Sequence, residues 1–162
     1  MSTQVKIKIY DDAGARELLD AEYERSSQIE LCRYALLLAD HILELVKFKD
    51  IENPVIKNGF FVNEKWQAGN ARMHEVRQAG FKIHEMAKAR GNALDKTALR
   101  VVGQAVATGH MREHAMVASD YAVKAVNLMY SNDMDSVQRE RKWQLDCIRA
   151  VKNAILKNKQ KN

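Results

Sequence analysis

Residues 31–45 read Leu31-Cys32-Arg33-Tyr34-Ala35-Leu36-Leu37-Leu38-Ala39-Asp40-His41-Ile42-Leu43-Glu44-Leu45, and the fold turns on this stretch. Leu31, Ala35, Leu38, Ile42 and Leu45 recur at the spacing of one helix face. Leu36, Leu37 and Leu43 fall on neighbouring faces, an apolar surface too wide for a helix packed on one side only. A central helix is predicted, opened by Ser26 or Ser27 as its N-cap.

Upstream, Asp11 and Asp12 are placed to cap a short helix running through Arg16, Leu18 and Leu19 to about Glu22. Before it, Val5, Ile7 and Ile9 alternate with Lys6, Lys8 and Tyr10 at the period of a strand. No second strand signal exists to pair with it, so residues 1–12 are read as an extended arm, docked on the body or paired across a homodimer. Downstream, Asn53 and Pro54 open a helix with Ile56, Phe60 and Trp66 inward, ending before Gly69. Asn70 is read as the cap of the next, whose stripe is Met73, Val76, Gly80, Ile83 and Ala87. Gly91 and Asn92 separate it from a helix carrying Leu94, Ala98, Val101 and Ala105. The small residues Gly103, Ala105, Ala107 and Gly109 predict a close approach of two helix backbones, and Gly109 a bend. Two stripes follow, Met116, Val123, Tyr130 and Val117, Tyr121, Leu128, predicting burial on two sides. Asp133 or Asp135 caps a last helix with Val137, Trp143, Leu145, Ile148, Val151 and Ile155. The fold class is all-α: a single-domain bundle or array of six to seven helices over residues 13–158, with a short extended N-terminal arm and a frayed basic tail at 159–162.

Composition agrees. The 162 residues are 46% hydrophobic and 29% charged, enough apolar matter for one buried core and too much for a disordered chain. One proline and seven glycines are too few for the turns of an all-β meander. Apolar runs such as residues 34–39 are far shorter than the roughly 20 residues that span a bilayer, and no secretory signal is read at the start, so a cytoplasmic protein with no membrane partner is expected. Cys32 and Cys147 lack any metal-ligand spacing and are read as buried, unpaired thiols. The net charge of +5 is concentrated in residues 139–162, which carry +6, but no nucleic-acid recognition motif accompanies it, and the basic end is read as a solvated helix terminus. The positive balance also argues against an acidic decoy of nucleic acid.

The sharpest local signal is His110-Met111-Arg112-Glu113-His114, the order His-x-x-Glu-His of inverted zinc proteases. Imidazoles four residues apart lie about 40° apart around a helix, close enough to share a metal. The third protein ligand is not evident, and the polar run after Gly109 suggests a helix start, where the histidines serve helix ends or neighbouring side chains. A small helical metal-binding protein or metalloenzyme using His110 and His114 is the alternative. No histidine has an acid three residues before it, which removes the di-iron bundle. Asp40 and His41 are adjacent and point about 100° apart, so structural roles are expected for both. His74, Arg77, Phe81 and His84 follow one flank of their helix, as an amphipathic boundary or a polar pocket wall. Phosphate-binding glycine loops and nucleophile elbows are missing, and Trp66, Trp143 and Tyr121 sit beside apolar stripes as core or interface aromatics.

Several of these segments together resemble a known family. They are residues 32–43, then Trp66-Gln67-Ala68-Gly69, then Arg77-Gln78-Ala79 with His84 and Ala87, and above all residues 99–115 continuing to Asp120-Tyr121-Ala122. The last is similar to the alanine-rich block, ending in two histidines and a Tyr-Ala pair, of the helical putative immunity proteins that accompany bacterial polymorphic toxins. Gly109 stands where that pattern has alanine, and residues 1–12 lie outside it. The resemblance implies an all-helical, non-catalytic protein that binds and neutralises a cognate toxin protein by occlusion, without a cofactor. It implies a shared polar feature, a buried network or a ligand pocket, drawn from Trp66, Arg77, His84, Arg100, Gln104, His110, His114 and Tyr121.

Overall fold

The computed structural model describes residues 2–161 and is all-α, with helices α1 (Ala13–Glu24), α2 (Gln28–Leu45), α3 (Pro54–Gln67), α4 (Met73–Lys88), α5 (Ala93–Ala107), α6 (His114–Met129) and α7 (Met134–Lys161). The ends follow the local chemistry. Asp12 accepts the Ala15 amide at the start of α1, and Ser27 and Glu30 form a reciprocal capping box at α2. Asn53, Asn92 and Asp133 accept first-turn amides of α3, α5 and α7. α7 continues through Lys161, so residues 159–161 are helical, and Asn162, like Met1, lies outside the described residues.

At α4 the cap differs from the sequence expectation. Asn70 belongs instead to the end of α3: with Gly69 at φ +80°, the Asn70 amide donates to the Lys65 carbonyl and the Gly69 amide to that of Trp66, the Schellman closure. α4 opens at Arg72, whose amide donates to Glu75.

α2 is central, packed against α3, α5, α6 and α7, while α5 lies between α4 and α6. Leu31, Leu38, Ile42, Ile83, Leu99 and Val101 are fully enclosed in the core. The small residues of α5 do allow a close crossing, since a Cβ added to Gly80 of α4 would stand 3.4 Å from the Gly103 carbonyl oxygen. On α6, Met116 and Val123 are buried but Leu128 and Tyr130 at its last turn are exposed, so the expected two-sided burial does not reach the C-terminal end.

The arm is extended and docked on the body. Asn127 grips the Tyr10 backbone with two hydrogen bonds of 2.9 Å, Thr3 bonds Asp20, and Ile9 packs on Val123, Val126 and Val137. Asp11 caps nothing and instead holds Arg141 of α7 through two hydrogen bonds, of 3.0 and 2.7 Å. Arg141, only 1% exposed, also donates to Asp120, which takes a bidentate pair from Arg16. From Arg141 the chain of bonds runs through Gln144 to Glu140, and Glu140 meets His41 at 2.7 Å, whose ring stacks 3.8 Å from that of Trp143. The positive excess of residues 139–162 is thus partly compensated by the rest of the molecule: Arg141 is buried against Asp11 and Asp120, and Arg149 and Lys152 meet Glu22.

Candidate functional site

The residues linking α4, α5 and the start of α6 form a ladder of polar side chains. His84 of α4 lies flat over α5 because residue 103 is glycine; a Cβ there would come within 2.7–2.9 Å of the imidazole. Arg100, one turn earlier on α5, donates to His84 Nδ1 at 2.8 Å. A guanidinium only donates, so Nδ1 accepts and the neutral ring carries its proton on Nε2. Gln104, the next turn of α5, holds His114 Nδ1 at 2.6 Å, and the His110 ring lies 5.8 Å from that of His114 at an interplanar angle of 31°.

No carboxylate is hydrogen-bonded into this ladder among the described residues. Burial, then the Arg100 charge, pushes His84 down to about 4, with smaller contributions from His114 and Lys88. Burial, then His110, lowers His114 as well. These two imidazoles are therefore neutral hydrogen-bonding groups near pH 7 rather than charges awaiting a partner.

The turn joining α5 to α6, residues 108–113, is pinned to the junction of α1 and α2. Arg112 reaches the Tyr23 and Ser26 carbonyls at the end of α1, each at 2.8 Å, with its guanidinium 4.7 Å over the Tyr23 ring. Gln28 at the start of α2 donates to the Thr108 carbonyl. Gly109 has its own reason: a Cβ there would meet Val76 at 3.0 Å and Trp66 at 3.4 Å, so glycine lets the indole close over the turn.

Of the residues singled out in the sequence, the structure brings together His84, Arg100, Gln104, His110 and His114. Trp66 is half-buried against the core, Arg77 is exposed with its guanidinium 5.1 Å from the Phe81 ring, and Tyr121 packs at the core margin. These three are outside the ladder. No group of three or more His, Cys, Asp or Glu side chains among the described residues is placed to hold a metal, so the third ligand that a His110–His114 site requires is not brought up by the fold. Burial pushes the Cys32 thiol up to about 12 and that of Cys147 up to about 11, which makes both poor nucleophiles.

One feature lies apart from every candidate site residue singled out in the sequence. Along α2 a second face, with Leu37, Asp40 and Leu43, forms the floor of a cleft of about 360 Å³ walled by Phe60 of α3 and Val151 of α7, continuing into one of about 320 Å³ toward Ile51. The excess width of the apolar surface over residues 31–45 was its signal.

A family model described as Imm-5 like putative immunity protein matches residues 21–151. Neither a curated protein nor a solved structure matches the chain. No helix among the described residues is long and apolar enough to cross a membrane.

Proposed function

Because the chain belongs to the Imm-5 like putative immunity protein family, we propose that it binds a cognate bacterial toxin in the cytoplasm and neutralises it by covering the toxin's working surface, without catalysis. The observation that carries this reading is the family match, which runs from α1 to α7. The side chains of the ladder support it. His84 and His114 are each committed to a hydrogen bond on a neighbouring helix, and neither is set beside a nucleophile or a carboxylate relay. The ladder positions helices rather than reacting groups, and binding falls to the outer surface. The net charge of +5 favours blockade by shape over mimicry of nucleic acid.

Co-expression with a toxin domain identified by sequencing the genes that flank this one tests the proposal. Cells carrying both survive, and the purified pair forms a stable complex. In a titration of toxin activity, inhibition is complete at equimolar protein and proportionally incomplete below it, as occlusion requires. Inactivation by trace amounts of this protein would mark it as an enzyme, and killing undiminished by its presence would remove the immunity role.

A further inference from the structure

α3 and α7 each pack on α2 but make no comparable contact with each other. The face of α2 between them is left open. Leu37, on that face, is 48% exposed although it lies in the middle of the most apolar stretch of the chain. Phe60 and Val151 rise on either side of it. From Arg33 to Leu43 this floor runs for about 15 Å, the length of roughly three helical turns. Two exposed rings nearby in the chain carry a cation from their own helix, Lys65 over Phe61 at 5.5 Å and Arg77 over Phe81 at 5.1 Å.

The charged groups along the cleft are unbalanced, two carboxylates, Asp40 and Glu64, against one cation, Arg33. Asp40 in the floor and Glu64 in the α3 wall make no side-chain hydrogen bond or ion pair among the described residues. The nearest lysine, Lys57, is engaged with Glu52 at 2.9 Å. Partial desolvation by the cleft, then the proximity of Glu64, raises the Asp40 carboxyl above its ordinary range, with Lys57 only partly offsetting them. A cation delivered between these two carboxylates would relieve the repulsion while apolar atoms beside it cover Leu37 and Phe60.

We propose that this groove between α2, α3 and α7 is where the toxin docks, and that it takes an amphipathic helix of the toxin whose apolar stripe lies on Leu37 and Phe60 and whose lysine or arginine reaches Asp40 and Glu64. The assignment rests on the immunity reading and adds the surface and the chemistry of the partner. Buried apolar anchors beside desolvated charge are what concentrate binding energy in a small part of an interface.

The test uses the full chain and the purified toxin domain that the co-expression experiment identifies. Two variants address the two halves of the groove: Leu37→Arg, and the charge reversal Asp40→Lys with Glu64→Lys. All three positions are on the outside of helices, and circular dichroism with thermal melting verifies that each variant keeps the wild-type fold. Leu18→Arg, on an exposed position of α1, is the control. Each groove variant is expected to weaken toxin binding by at least about thirtyfold and to abolish protection, while Leu18→Arg binds and protects like wild type. Folded groove variants that bind within about twofold of wild type and still protect overturn the groove assignment and leave the immunity reading standing. A wild-type protein that neither binds nor protects removes both. If wild type is a dimer in sedimentation, Leu37→Arg is a monomer and toxin affinity is unaltered, the occupant is a second copy of this chain and the proposal is wrong.

Discussion

Two polar clusters hold this helical protein together, and they do so by opposite means. Around Asp120, guanidinium and carboxylate groups are buried in compensating pairs: Arg16 and Arg141 share Asp120, and Arg141 also takes Asp11. Around His84 and His114, imidazoles are half-buried without a carboxylate partner and are kept uncharged. A charge can be enclosed if its opposite is enclosed with it, whereas a titratable group with no opposite must give up its charge. The first cluster fastens the arm, α1, α6 and α7 by electrostatics; the second joins α4, α5 and α6 by hydrogen bonds between neutral rings and their partners.

Removing one member of the charged cluster gives the largest effect. Asp120→Ala leaves Arg16 and Arg141 buried with too little negative charge, and we expect a loss of about 3–5 kcal/mol in denaturant unfolding. Asp120→Asn keeps the shape and should lose most of the same amount. A cost below about 1 kcal/mol for both would mean that the two guanidinium groups reach solvent and that the contrast between the clusters is false.

The two clusters were unequally legible in the sequence. Helix caps at Asp12, Ser27, Asn53, Asn92 and Asp133 are local chemistry, and the apolar stripes of α2, α4 and α5 are periodic, so the helices could be read from neighbours in the chain. The Asn70 cap failed because glycine at residue 69 drew that amide into the preceding helix end. His84, Arg100, Gln104 and His114 lie within a short span of chain, and the family likeness marks them. Asp11 and Arg141 are 130 residues apart, and Arg16 and Asp120 are 104 apart. No spacing rule joins such pairs, and by position alone Asp11 is a cap candidate and Arg141 part of a surface charge. The groove over Leu37 was half legible: the sequence shows too much apolar surface on α2, but only the positions of α3 and α7 show which part stays uncovered.

The neutral cluster gives a smaller effect, with a definite sign in pH. In the unfolded chain a histidine takes its proton near 6.5, while folded His84 does not until about 4. The folded state therefore binds fewer protons between these values, and stability falls as the solution is acidified through that window. His114 shifts in the same direction. Above pH 7 the full stability is present; at pH 4.5 we expect a loss on the order of 2 kcal/mol, allowing for solvent at the exposed ring edges. Urea unfolding at intervals across the window measures it. Gly103→Ala sharpens the point, because the new methyl group pushes the His84 ring toward solvent and away from Arg100. That variant should lose about 1 kcal/mol at pH 7 and show a flatter pH dependence. An unchanged slope would place the acid sensitivity elsewhere.

The smallest effect comes from a pair that looks strongest on distance alone. Lys142 Nζ lies 2.6 Å from Asp146 Oδ2, shorter than any bond that Asp120 accepts, yet the two side chains are 75% and 58% exposed. Water already solvates both ends, so their meeting replaces little and restricts two mobile chains. Their order along α7, with the cation nearer the N-terminus, is also the less favourable one for a helix. Lys142→Ala should therefore shift unfolding by no more than about 0.5 kcal/mol, and that small shift should fade in high salt. A loss comparable with that of Asp120→Ala would show that proximity rather than enclosure governs charge pairing here, and the distinction between the buried cluster and the surface would collapse.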